Sequence, residues 1–270
     1  MNDSPWIIDT WVNLLPPLAE GENPAGERIF SRYGVLDLMR EGTDPARLVA
    51  EMDAALIDRS GLCSRDSDWV ARVCAEYPDR FFGIASPDPT DIMGCLREVE
   101  RCVGDHGFKA VKVEPFLWDK PPTDAMYYPL YAKCVELDIT FTTQIGHTGP
   151  LYPSEAGRPI HLDRVALDFP ELRIVGGHIG WPWTEEAISV AWKHDNVYID
   201  TSAHVPKHFP DSFVHFMKTF GRDKCLFASD WPLLSIDRAL GGLAEHCALP
   251  DEARRNFLRE NAIKAFRLED

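Results

Sequence analysis

Short apolar runs and amphipathic stretches alternate along most of this chain, and that alternation constrains the fold more than any other feature. Residues 6–12, 60–63, 80–85, 108–113, 139–145, 172–177, 197–201 and 225–228 read as strands. Stretches 45–57, 69–77, 93–103, 127–137, 162–168, 184–194, 211–220 and 251–266 read as helices. Thr43 or Asp44 is a candidate cap, and Pro78 stops the helix before it. The Pro/Gly-rich segment from Pro16 to about Gly34 reads as a loop too long for a routine connection, hence a candidate lid. Strand–helix alternation of this kind implies a parallel sheet. A closed barrel and an open doubly wound sheet both fit. No Gly-x-Gly-x-x-Gly follows the first strand, which weakens the nucleotide-binding version of the open sheet. The length, 270 residues, is near the ~250 of one barrel. The expectation is an α/β chain forming a single (β/α)8 TIM barrel over residues 1–270, with no linker between domains.

Three polar residues stand where predicted strands run out. They are His147 in Thr-Thr-Gln-Ile-Gly-His-Thr-Gly, His178 in Arg-Ile-Val-Gly-Gly-His-Ile-Gly and Asp230 in Leu-Phe-Ala-Ser-Asp-Trp-Pro. A parallel barrel gathers its active-site groups at the carboxyl ends of its strands. Two imidazoles and a carboxylate converging there can bind a divalent metal or move protons. A lone histidine is more often structural; three polar groups at equivalent strand ends point to function.

Composition removes several function classes. The net charge is −15, from 43 acidic and 28 basic residues, which opposes a phosphate backbone and argues against nucleic acid as a partner. Seven cysteines are scattered without a Cys-x-x-Cys pair and read as buried reduced thiols. No apolar run approaches the ~18 residues of a membrane helix, so no membrane partner is expected. The start, Met-Asn-Asp-Ser-Pro-Trp, lacks signal-peptide character, so a cytoplasmic location is expected.

The ordered tags carry a resemblance across nearly the whole chain. They are Ile-Asp-Thr in strand one, His-Thr-Gly at 147–149, Gly-His-Ile-Gly at 177–180 and Ser-Asp-Trp-Pro at 229–232. Asp-Phe-Pro-Glu-Leu at 168–172, Asn-Val-Tyr-Ile-Asp-Thr-Ser at 196–202 and Glu-Asn-Ala near the end support them. The sequence resembles the amidohydrolase superfamily, specifically its amidohydrolase-related branch. That branch holds aminocarboxymuconate-semialdehyde decarboxylase, resorcylate-type decarboxylases, hydratases and pyrone-dicarboxylate lactonase. The resemblance implies that His147 matches a strand-five metal ligand, His178 the strand-six histidine and Asp230 the strand-eight aspartate. One departure is plain: the family's Asp-x-His-x-His reads Asp9-Thr10-Trp11-Val12-Asn13 here. Catalytic zinc usually takes three protein ligands. His147 and Asp230 alone make a weak site, which His178, the Asn13 amide or Glu114 would have to complete. Trp11 cannot ligate.

The implied activity is hydrolysis or non-oxidative bond cleavage on a small carboxylated or cyclic metabolite, with an absent or atypical metal site. Cofactors are then none or one weakly bound divalent metal, zinc or manganese, held by His147, His178 and Asp230. Two alternatives stay open, a metal-dependent decarboxylase-like lyase and a ligand-binding pseudoenzyme. Asp230, His178 and His147 are the candidate catalytic residues. Trp11, Asn13, Lys112, Glu114, Arg158, Trp181 and His204 are candidate substrate contacts. Lys112 shares strand parity with Glu114, so both are expected to point inward; a buried ion pair is the plain alternative. Arg158 is either a carboxylate clamp or a surface charge. Trp181 and Trp183 either wall a pocket or pack, and Asp200 supports its strand end. The resemblance further suggests a homodimer acting on a small molecule.

Overall fold

The computed structural model describes residues 6–269. Eight parallel strands lie in one sheet in sequence order: β1 Ile7–Asn13, β2 Ile57–Ser64, β3 Phe81–Ala85, β4 Ala110–Val113, β5 Thr140–Gln144, β6 Ile174–Gly177, β7 Val197–Asp200 and β8 Cys225–Leu226. Since β8 has only two residues, irregular backbone beyond it completes the ring. Thr10 N donates to Phe227 O (3.1 Å), Asn13 N to Trp231 O (2.8 Å) and Asp230 N to Trp11 O (3.0 Å). The expected (β/α)8 barrel is the observed architecture.

The outer ring comprises α3 Pro45–Ala54, α4 Ser67–Glu76, α5 Ile92–His106, α6 Tyr128–Glu136, α7 His161–Asp168, α8 Thr184–Lys193 and α9 Asp211–Lys218. Its starts are chemically marked. Asp44, Asp66 and Asp91 each accept a backbone N–H from the first turn of the helix that follows, satisfying donors with no intrahelical partner. Ile57, expected to end a helix, instead opens β2, because α3 stops at Ala54. The segment read as one loop from Pro16 to Gly34 contains α1 Pro24–Tyr33, and α2 Leu36–Glu41 follows it. Asn23 caps α1, Pro24 sits in its first turn, and Gly34 at φ 72° ends it. The composition that suggested loop is thus the punctuation of a short helix. A further helix, α10 Ile236–Leu240, was not anticipated. The closing helix is interrupted: α11 Asp251–Arg255 and α12 Asn261–Phe266 are joined by a wider π-type turn.

Strand alternation divides the core. Val111 and Val113 face the helices, whereas Ala110, Ile8, Phe82, Ile84, Val175 and Leu226 form the inner cluster. Ala262, Ala265 and Phe266 of α12 join that cluster, with the Phe82 and Phe266 rings 5.3 Å apart. Thr140, the first residue of β5, donates to Ala265 O, so α12 seals the amino-terminal end of the barrel. Open space is left at the carboxyl ends of the strands. All seven cysteines are free and six are buried. No helix among the described residues is long and apolar enough to cross a membrane.

The loops after β5 and β6 lock together. Gly146 N donates to Gly157 O and His147 N to Trp181 O, both at 2.6 Å. Gly146 has φ +86°, and a Cβ there would lie 2.5 Å from Trp181 O and 2.6 Å from Gly180 C. Gly146→Ala is therefore expected to destabilise the fold by roughly 2–4 kcal/mol, combining left-handed strain with a backbone clash. Urea unfolding monitored by circular dichroism measures this.

Candidate active site

The open end holds a cavity of about 670 Å³. Trp11 and Asn13 reach it from β1, Lys112 from β4, Glu114 from the residue just beyond β4, His147 from the loop after β5, and His178 from the loop after β6. Trp181, His204 and Asp230 complete the set from the loops after β6, β7 and β8. Three candidates spread over more than eighty residues of sequence, His147, His178 and Asp230, thus share one chamber. A second space of about 600 Å³, lined by Arg65, Ser86 and Asp91 among others, meets the first at Lys112 and Glu114. Arg158 lines neither. It is paired with Glu186 at 2.7 Å and lies over the Trp183 ring at 5.7 Å.

The centre of the cavity floor is a chain of polar contacts. Lys112 Nζ lies 3.0 Å from Asn13 Oδ1 and 3.0 Å from Glu114 Oε1, and 4.7 Å from the centre of the Trp11 ring. Asn13 Nδ2 donates to Asp230 Oδ1 at 2.8 Å and to Trp231 O at 3.2 Å. Cys63 Sγ is 3.3 Å from Asn13 Oδ1. The Asn13 amide therefore accepts hydrogen bonds at its oxygen and donates them from its nitrogen, tying the ammonium to the carboxyl group. Parity places Lys112 here, since Ala110 one alternation earlier belongs to the inner cluster.

Burial sets the charges. Lys112 is 7% exposed and Asp230 8%. Burial penalises the ammonium, but the surrounding Cys63, Glu114 and Asp230 outweigh it and raise its pKa. Cys63 is itself pushed up to about 11 by burial, so near neutrality it is a thiol and Glu114 is the stronger counter-charge. Burial pushes Asp230 up to about 7; Asn13 and Lys112 pull against that rise while Glu114 adds to it. Asp230 thus exchanges a proton near neutral pH.

His178 is held from behind. The Ser202 hydroxyl donates to Asp200 Oδ1, which also accepts the Ser202 and His178 backbone N–H groups at 2.9 and 3.3 Å. With its proton so engaged, Ser202 Oγ offers a lone pair to His178 Nδ1 at 2.8 Å, and Ser202 O lies 3.1 Å from the same nitrogen. Both neighbours are acceptors, so Nδ1 carries the proton and Nε2 keeps a lone pair. His204 Nδ1 is bound to the same carbonyl at 2.9 Å, with the same consequence. Burial lowers both imidazole pKa values, that of His204 to about 4, and raises that of Asp200. His178, Ala203 and Asp230 all have positive φ (71°, 61° and 65°), a backbone cost that gathers around this chamber.

Ser202 had a weak sequence signal, two residues beyond Asp200 at a strand end. Arg32 and Tyr33 from α1 and Arg238 from α10 also line the cavity and had none, because they come from helices absent from the sequence reading.

A family model described as "Amidohydrolase" matches residues 8–268. The chain belongs to the amidohydrolase family. It is 26% identical over 289 aligned positions to a gamma-resorcylate decarboxylase of Polaromonas sp. (strain JS666), covering 89% of this chain and 86% of that one. An uncharacterised TIM-barrel protein from Bordetella bronchiseptica superposes with a TM-score of 0.80 at 25% identity, covering 97% of this chain and 98% of the other. A dihydroxybenzoic acid decarboxylase from Polaromonas sp. JS666, solved with bound manganese and 2-nitroresorcinol, superposes with a TM-score of 0.75 at 19% identity and 98% coverage of both.

The donors present here do not suit such an ion. Among the described residues no three of His, Cys, Asp and Glu converge to hold a metal. Trp11 and Asn13, which β1 brings to the cavity, offer no histidine, and the Lys112 ammonium lies against both. A divalent ion bound at Asn13 would sit beside the Lys112 ammonium, a like charge.

The raised Asp230 pKa has a stability consequence. Above about 4, the usual carboxyl value, the unfolded chain loses this proton, while the folded chain holds it until about 7. The stabilising contribution is complete below the lower value and lost as pH rises through the upper one. Asp230→Asn removes the penalty. Its melting temperature relative to the native protein is expected to rise from pH 5 to pH 7.5 by several degrees and then level off, read by scanning calorimetry across that range.

Proposed function

We propose that this chain is a non-oxidative carbon–carbon lyase that decarboxylates a small hydroxylated, unsaturated or aromatic carboxylic acid. The observation that carries the reading is Asp230, a buried carboxyl group of pKa about 7 lining the same cavity as a buried ammonium and an unprotonated imidazole. Loss of carbon dioxide from a ring requires a proton at the carbon that bears the carboxylate. A carboxyl group half protonated near pH 7 supplies one more readily than an ordinary aspartate. The likeness to gamma-resorcylate decarboxylases supports the same reaction class.

In this mechanism the Asp230 proton passes to the ring carbon carrying the carboxylate. The bond from that carbon to the carboxyl carbon then breaks, its electron pair returns to the ring, and carbon dioxide departs. Asp230 is left as a carboxylate and regains its proton from water. Lys112 attracts the substrate's anionic oxygen and orients it. His178 Nε2 accepts a hydrogen bond from a ring hydroxyl, because its tautomer is fixed by Ser202. Trp11 and Trp181 wall a planar ligand, with the Trp11 and His178 rings 5.0 Å apart.

The test is incubation with hydroxybenzoates that carry a hydroxyl next to the carboxylate, 2,6-dihydroxybenzoate among them, following product by chromatography. Run in deuterated water, the reaction should place deuterium at the vacated carbon. Asp230→Asn is expected to lower turnover at least about tenfold, with folding retained by circular dichroism. Unchanged turnover would remove Asp230 from the mechanism. Because the acid works in its protonated form, kcat/KM is expected to fall as pH rises through about 7; a rate that climbs across that interval contradicts the assignment.

A further inference from the structure

We infer that the Lys112 ammonium takes the place of a bound divalent cation, holding the substrate's carboxylate or phenolate oxygen by a direct hydrogen bond, so that this site binds anionic ligands without metal. The inference deepens the lyase reading and rests on it for the substrate class. Three observations carry it. First, Nζ contacts the side chains at both strand-one positions, Asn13 Oδ1 at 3.0 Å and the Trp11 ring face at 4.7 Å. These are the positions at which the family's Asp-x-His-x-His places its histidines. A histidine in place of Asn13 would take from the ammonium one of its two oxygen acceptors, and a metal held there would sit beside a like charge.

Second, one of the ammonium's donors is only weakly engaged. It carries three N–H groups. Asn13 and Glu114 accept two. Its remaining protein partner is the Cys63 sulfur, a weak acceptor that a ligand oxygen can displace, and Lys112 lines the cavity in which a ligand would sit. Third, the group is fixed. A lysine side chain that is 7% exposed, with an ion pair on one side and an aromatic face on another, is held before a ligand arrives. Glu114 balances its charge and takes one donor, leaving the one weakly engaged by sulfur to a ligand.

Metal content and anion binding test this together. Protein treated with chelator and then dialysed against manganese or zinc chloride is expected to retain well under one equivalent by mass spectrometry, with no change in melting temperature. Near-stoichiometric retention overturns the inference. Replacing Trp11→His and Asn13→His together builds the missing donors. With Lys112 kept, that variant should bind zinc weakly; adding Lys112→Met should tighten binding at least about tenfold. Equal affinity of the two variants overturns the inference.

A further measurement does not depend on those variants folding. In buffer containing EDTA, calorimetry with 2,6-dihydroxybenzoate and with salicylate should show binding to the native protein. Lys112→Met should weaken it at least about tenfold, and Lys112→Arg should recover part of the loss. Unaltered affinity in Lys112→Met, or no binding of either acid to the native protein, overturns the inference. Anion binding that depends on Lys112 without carbon dioxide release from any acid tried would instead count against the lyase reading while leaving the Lys112 assignment standing.

Discussion

The seam between the first and last strands carries more of this structure than its length suggests. Only two residues of β8 are regular, so the barrel is closed by the bent backbone from Phe227 to Trp231 lying against β1. Asp9 holds that bend from within: its Oδ1 accepts the Ser229 N–H at 2.9 Å and the Trp11 N–H at 3.3 Å. Burial lifts the Asp9 pKa to about 7, while its second oxygen has no partner among the described residues. The same seam brings Asn13 to Asp230 and both of them to Lys112. Ring closure and assembly of the reactive centre are thus one set of hydrogen bonds, and a change that loosens the seam disturbs both.

The charge of the whole molecule and that of its cavity run in opposite directions. A chain of net charge −15 repels anions at long range. Inside the chamber Lys112, Arg32 and Arg238 face Glu114 and an Asp230 that is only partly ionised near neutrality. The neutral imidazoles of His178 and His204 add no charge. An acidic small molecule therefore meets a local balance of charge that favours it, and low dielectric strengthens the contact to the buried Lys112.

Much of the barrel was legible because strand alternation and helix caps are local signals. Asp44 caps a helix by its own side chain, and the parity of Ala110, Lys112 and Glu114 needs only neighbouring residues to be read. The strand-end positions of His147, His178 and Asp230 followed from the same logic, and all three line one chamber. The segment from Pro16 to Gly34 was misread because Pro24 and Gly34 mark helix ends as readily as loops. Arg32, Tyr33 and Arg238 were then invisible, since nothing in the sequence says that α1 and α10 lean over the barrel mouth. Arg158 shows the opposite limit: the sequence placed it on a loop near the site, but Glu186, twenty-eight residues on, takes its guanidinium.

Two chambers open from the carboxyl ends of the strands, and Lys112 and Glu114 belong to the walls of both. The ion pair is thus a shared partition, bordering the space beside Trp11 and His178 and the space beside Arg65 and Ser86. A substitution at either residue alters both spaces at once, so neither can be reshaped by way of this pair while the other is left as it was.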